Sequence, residues 1–240
     1  MLQACLNGAR TPREHHHLPT SPADLAAAAA DAVAAGATDL HLHPKTPDGA
    51  DSLEPHLVAA TLRAVRAAAP TTPIGITTGA WTTPDPHTLL RSIRAWTVLP
   101  DHASVNWHEP AADDIATALH RRGIGIEAGI HSGTGAETRL RTSPLRHHLL
   151  RVLAEVNDPT TRAATTAAGL LDRLHPAPAP VLLHGTAAGA WHVLDLAVDR
   201  GLDTRIGLED TLLLPDGTIA TDNAELIRTA ARRLDRSELP

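Results

Sequence analysis

The stretch Leu2-Gln3-Ala4-Cys5-Leu6 runs directly into Asn7-Gly8-Ala9-Arg10. It reads as a short strand closing on a turn that holds one glycine. A doubly wound dinucleotide fold, the main competitor, would set three glycines after its first strand. Seven further apolar runs follow: Thr38–His43, Pro73–Thr78, Ala103–Trp107, Gly123–Ile130, Leu149–Val156, Pro180–His184 and Thr204–Glu209. Helical patterns separate them. Ser21-Pro22-Ala23-Asp24 carries an N-cap, a proline for the first turn and an acid behind it. Gly36, Gly123 and Gly201 stand where helices would end. The patterns over 109–122, 158–174, 187–200 and 221–234 are helical as well. Pro144 interrupts the segment 134–148, which reads as a loop with a short helix. Strands alternating with helices imply parallel pairing, and eight such units in 240 residues match a (β/α)8 TIM barrel of minimum size forming one domain.

Composition narrows the function. The chain has 21 basic and 27 acidic residues, a formal charge of -6 and 2% aromatics. With no basic cluster to neutralise phosphates and few rings for stacking, a nucleic-acid protein is excluded. One cysteine allows no intramolecular disulfide and no cysteine-based zinc site. No apolar run approaches the roughly 20 residues of a membrane span, and no basic segment followed by an apolar core opens the chain. A cytoplasmic protein is expected. The 16 histidines hint at metal or proton chemistry, although base composition explains most of such an excess.

In a barrel the functional groups collect at the carboxyl ends of the strands. Here those ends carry Asn7; His41 and His43; Thr77 and Thr78; Ser104 and Asn106; Glu127; Glu155; His184; and Glu209 with Asp210. His41-Leu42-His43 places two imidazoles on one face of a strand. In a closed barrel the second and eighth strands both flank the first, which brings Glu209 within reach of the pair. Two histidines and a carboxylate describe a catalytic zinc or similar divalent site, with His184 as a substitute ligand or a supporting group. Arg205 shares parity with Glu209, and Asp210 stands next in sequence, so an ion pair or a substrate-carboxylate clamp forms there. Lys45 is one of the 21 basic residues and the only lysine, leaving 20 arginines. It reads as a solvated loop residue or a contact for an anionic substrate. Cys5 reads as a small buried apolar residue.

Taken together, Ala4-Cys5-Leu6-Asn7-Gly8-Ala9, the block Ala34–Pro44 containing the histidine pair, Arg205-Ile206-Gly207-Leu208-Glu209-Asp210-Thr211-Leu212, and Leu214-Pro215-Asp216-Gly217 with Asn223-Ala224-Glu225-Leu226 resemble the β-keto acid cleavage enzymes. Their founding activity is 3-keto-5-aminohexanoate cleavage. The resemblance implies a zinc-dependent barrel, usually a homotetramer, that acts on a β-keto acid with acetyl-CoA and yields acetoacetate and an acyl-CoA. It implies His41, His43 and Glu209 as metal ligands, and Arg205 with Asp210 as the group that takes the α-proton. Either member of that pair would be the acceptor. Glu127 falls on the fifth-strand glutamate, and Thr77 or Thr78 on the hydroxyl that holds the substrate carboxylate. Ser104, Asn106 and Lys45 complete the expected substrate contacts. The first-loop carboxylate would be Glu14, beside His15-His16-His17. Loops 8–20, 82–88 and 131–143 are expected to wall the pocket. An amidohydrolase-type hydrolase also uses His-x-His on a barrel, but on the first strand and often with a carbamylated lysine. A barrel that binds without turnover is the third alternative.

Overall fold

A computed structural model describes residues 1–237. Eight parallel strands close into a ring: β1 (Leu2–Cys5), β2 (Asp39–Leu42), β3 (Ile74–Thr77), β4 (His102–Asn106), β5 (Gly125–His131), β6 (Arg151–Val156), β7 (Val181–Gly185) and β8 (Asp203–Ile206). Each pairs with its sequence neighbours, and β1 pairs with β8 to seal the barrel. The helices α1 (Pro22–Ala34), α2 (Pro55–Ala68), α3 (Pro86–Ala95), α4 (Ala112–His120), α5 (Ala136–Thr142), α6 (Ala163–Leu174), α7 (Ala190–Asp199) and α8 (Asn223–Ser237) alternate with them. The expected (β/α)8 barrel is the observed one. Among the described residues no helix is long and apolar enough to cross a membrane.

Local chemistry sets the element ends. Ser21 accepts from the Asp24 backbone, and Asp24 returns the bond to the Ser21 backbone, a reciprocal box that starts α1 behind Pro22. Helix α5 stops at Thr142, two residues before Pro144. Strand β8 is shorter than its apolar run. A Cβ on Gly207 would lie 2.0 Å from the Cys5 carbonyl, so the chain bends across β1 there and continues as a turn.

Every strand is buried on both faces. The outward set, including Leu40, Leu42, Ile74, Ile76, Ile126 and Ile130, packs beneath the helices in the apolar core. The inward set is unusual, because barrel interiors are ordinarily filled with branched apolar side chains. Here Gln3, Asp39, His102, Glu127 and Arg151 occupy the centre as one polar network. Gln3 Nε2 donates to Asp39 Oδ1 and to Glu127 Oε1, both at 3.0 Å. Arg151 reaches Asp39 at 2.7 Å and Glu127 at 3.1 Å. His102 places Nε2 3.0 Å from Asp39 and Nδ1 3.2 Å from Glu127. Room for that ring comes from Gly75, where a Cβ would sit 2.1 Å from His102 Cε1. Burial disfavours a charged imidazole, but Glu127 and Asp39 outweigh it and raise the His102 pKa to about 10. Two carboxylates therefore meet two cations, and the buried charges balance.

Candidate active site

The network lies one layer beneath a cavity of about 200 Å³ at the carboxyl ends of the strands. On one wall His41 and His43 project inward from β2 and the residue after its end. His41 Nε2 lies 3.7 Å and His43 Nε2 3.8 Å from the same oxygen, Glu209 Oε2. These gaps are too long for hydrogen bonds. They suit donors sharing an ion, since atoms about 2.1 Å from a tetrahedral zinc lie roughly 3.4 Å apart. Glu209 Oε2 is buried with no hydrogen-bond partner, which is the signature of an oxygen reserved for a ligand. Among the described residues this trio is the one group of three or more such donors that converges.

The surroundings fix the ligands. His43 Nδ1 lies 2.8 Å from Asp51 Oδ2, which orients the ring and leaves Nε2 for a metal. Asp51 also accepts from Lys45 Nζ at 2.5 Å and from Trp81 Nε1 at 2.8 Å. Burial opposes its ionisation, yet His43 and Lys45 keep its pKa lowered. Burial pushes the His41 imidazole down to about 4, so it is neutral and able to ligate at pH 7. Gly8, at φ +57, packs its α-carbon against Glu209; a Cβ there would fall 2.5 Å from Glu209 Cγ.

Arg205 extends from β8 between two carboxylates. Its Nη2 donates to Glu209 Oε1 at 2.8 Å and to Asp210 Oδ1 at 2.9 Å, and its Nε donates to His184 Nδ1 at 3.1 Å. Adjacent residues on a strand could not both face Arg205; the turn after Ile206 lets Glu209 and Asp210 do so. Burial works against the Asp210 charge, but Arg205 and His184 lower its pKa to about 2. Arg205 is held still more firmly in its protonated form by Asp210 and Glu209, against the cost of burial. Asp210 Oδ2 remains buried without a partner.

Thr77, Ser104 and Asn106 line the cavity with these groups. Thr78 does not: its hydroxyl donates to the Ser104 carbonyl at 2.6 Å. Glu127, expected among the catalytic groups, lies one layer below the cavity at 0% exposure, where His102 and Arg151 engage it. It approaches the site only through His41 Nδ1, 4.0 Å away. Lys45 is neither solvated nor free for a substrate, because Asp51 and the Gly8 carbonyl bind its ammonium in a buried position. Glu14 is exposed and satisfied by Arg10 and Thr11, outside the cavity. His184 stands behind Arg205 rather than with the metal donors. Cys5 is buried, as expected. The walls come from Ala9, Trp81, His131 and Thr186, so the third loop contributes Trp81 rather than 82–88. Sequence reasoning missed Asp51 and His131. Asp51 had no signal beyond being a carboxylate eight residues after His43, and His131 was one of 16 histidines.

Fold and site together define a (β/α)8 barrel with a candidate divalent-metal centre at its mouth. The family model for beta-keto acid cleavage enzyme matches residues 1–122 and 142–240, and the chain belongs to that family. No curated protein matches it. Among solved structures, apo ObcA superposes with a TM-score of 0.69 at 18% identity over 92% of this chain. ObcA with oxaloacetate gives 0.70, also at 18% identity and 92% coverage. The chain spans only 62% and 64% of those two ObcA chains. Type I 3-dehydroquinate dehydratase from Clostridium difficile superposes at 0.67 with 12% identity, covering 98% of this chain and 90% of its own. Likeness at these identities speaks for the barrel alone.

Proposed function

We propose that this β-keto acid cleavage enzyme transfers an acyl group from its β-keto acid to CoA, consuming acetyl-CoA and releasing acetoacetate. The observation that carries the reading is the convergence of His41, His43 and Glu209 beside an Arg205–Asp210 pair whose Asp210 Oδ2 is unengaged. The donor set of two imidazoles and one carboxylate fits zinc, which supplies Lewis-acid polarisation of the ketone and carboxylate oxygens when bound.

The protein's own groups do the rest. Thr77 and Ser104, on neighbouring strands, orient the substrate carboxylate from the cavity side. Asp210 takes the proton from the carbon between ketone and carboxylate, because Arg205 stays protonated and can serve only to hold it. The resulting carbanion forms a bond to the acetyl carbonyl carbon, and the CoA thiolate leaves. That thiolate then adds to the original ketone. The carbon–carbon bond breaks, acyl-CoA forms, and the carbanion of acetoacetate takes its proton back from Asp210. Atoms balance without a covalent protein intermediate. On the family resemblance the working form is a homotetramer.

The carbamylated lysine that hydrolases of amidohydrolase type often use has no counterpart at this site, because the only lysine is committed to Asp51. The test is product formation from a β-keto acid by zinc-loaded protein with and without acetyl-CoA. Acetoacetate should appear only when the thioester is present. Cleavage in water alone would overturn the reading.

A further inference from the structure

A second cavity, of about 390 Å³, opens on the face of the barrel opposite the metal donors. It lies between the end of α5, the loop into β6, the end of α6 and the loop into β7. Its volume falls within the roughly 300–1,000 Å³ of small-molecule sites. Glu137, Leu140 and Arg141 line it from α5, and all three belong to 123–141, the segment outside the family match. The cavity is thus a feature of this chain and not of the pattern that defines the family.

Three kinds of group line it. Leu140 and Leu174 give an apolar wall, and Pro176 and Pro178 extend it with backbone whose φ is fixed. Glu137 supplies an acceptor. Its side chain is 9% exposed; Oε1 accepts from Arg173 Nε at 2.9 Å, and Oε2 is buried without a partner. Such an oxygen is costly unless something donates to it. Arg141 and Arg146 supply cations. Among the described residues they donate to main-chain carbonyls, those of Arg173 and Ser143, and neither meets a carboxylate. Glu137 and Arg141 stand one turn apart on α5, a separation of about 5–6 Å between Cβ atoms. They would ordinarily pair across that turn. Here Arg173 takes both, Glu137 through its guanidinium and Arg141 through its carbonyl, and the two charges stay open to a ligand.

We propose that this cavity binds a free α-amino acid with an apolar side chain. The ammonium donates to Glu137 Oε2, the carboxylate meets Arg141 and Arg146, and the side chain covers Leu140, Leu174 and Pro176. An amino acid carries both charges on one carbon, which suits an acceptor and a cation one helical turn apart. A plain fatty acid would leave Glu137 Oε2 without a donor. An alkylamine would leave both guanidiniums without an anion, and a polyphosphate would leave the apolar wall uncovered. Each charge-assisted contact is worth roughly ten- to hundredfold in affinity. The site takes no part in the acyl transfer, so the inference is independent of that reading.

The test is calorimetric titration of zinc-loaded and of metal-free protein with L-leucine and L-phenylalanine. Three partial probes accompany them: 4-methylpentanoate lacks the amine, 3-methylbutylamine lacks the carboxylate, and L-alanine lacks the large side chain. At least one of the two full amino acids should bind at least tenfold more tightly than every partial probe, with or without zinc. Glu137→Gln and Arg141→Gln should each weaken it at least tenfold. Because Glu137→Gln also disturbs Arg173, Arg141→Gln at an exposed position and Arg146→Gln test the site apart from that pair. Failure of both amino acids to bind the wild type overturns the inference. So does equal binding of 4-methylpentanoate or 3-methylbutylamine, or unchanged affinity in both arginine variants. Binding that disappears when zinc is removed would put the amino acid at the metal and overturn it as well.

Discussion

Replacing Asp51 by asparagine isolates the outer support of the metal site. Asp51 makes three contacts, to His43 Nδ1, Lys45 Nζ and Trp81 Nε1. Two of them define separate consequences. At His43 the carboxylate fixes the tautomer that leaves Nε2 free, and such partners are worth about 10–100-fold in metal affinity. At Lys45 the change strands an ammonium, because the side chains of Lys45 and Asp51 are 1% and 5% exposed. Breaking one member of a buried pair costs about 3–5 kcal/mol, and asparagine, which keeps an acceptor, should fall at the lower end. The expected result is zinc binding weakened about 10–100-fold in competition with a chelator at pH 7, with a loss of about 3 kcal/mol in urea unfolding of the metal-free protein. Adding Lys45→Met to Asp51→Asn removes the stranded charge, so stability should recover while zinc affinity stays low. Zinc affinity of wild-type strength in Asp51→Asn, beside a clear loss in His43→Ala, would refute the reasoning. Recovery of zinc affinity in the double variant would do so equally.

Two further outcomes follow from packing and charge. Gly8→Ala places a methyl group against Glu209 Cγ and should weaken zinc binding at least tenfold; Gly123→Ala, at a similar φ of +71 with nothing within 4 Å, should cost only about 1 kcal/mol of stability and leave zinc binding alone. A metal response of equal size in both variants would remove the contact from the explanation. His102 has a folded pKa of about 10 against an ordinary value near 6.5, so its stabilisation is complete below about pH 6.5 and is lost as pH rises through 10. Metal-free protein should lose at most about 1.4 kcal/mol per pH unit across that window, and His102→Gln should flatten the slope. With no tyrosine and one lysine, the main competing titration is that of Cys5, whose thiol pKa burial raises, so urea midpoints at pH 6, 8 and 10 are compared in a Cys5→Ala background.

The barrel was legible because parallel strands covered on both faces read as apolar runs, and all eight runs became strands. The site was legible where strand alternation governs it, as at His41 and His43. Glu209 reached the right place by another route than parity, through the bend at Gly207. Glu127 misled for the opposite reason. Strand position gives the face on which a side chain points but not its depth, and Glu127 shares that inward face with His131, four residues higher. Asp51 and Lys45 could not be read at all, since their pairing depends on how the loop after β2 folds back on itself. That His131, Glu155 and His184 stand side by side on β5, β6 and β7 emerges only from register, which three separate runs of sequence do not reveal.

The ionic floor of the barrel bears on how this sequence can change over generations. Gln3, Asp39, His102, Glu127 and Arg151 come from five different strands. Asp39, Glu127, His102 and Arg151 pair with one another, so replacing any one of these four leaves a buried charge short of a partner. Compensating substitutions at those four positions are therefore favoured over single ones. Gly75 joins that set, because the imidazole of His102 fills the volume that a side chain on β3 would take. The five strands are thereby tied into one unit of inheritance. The cavity wall above them, where Glu155 stands, can vary residue by residue while its foundation stays fixed.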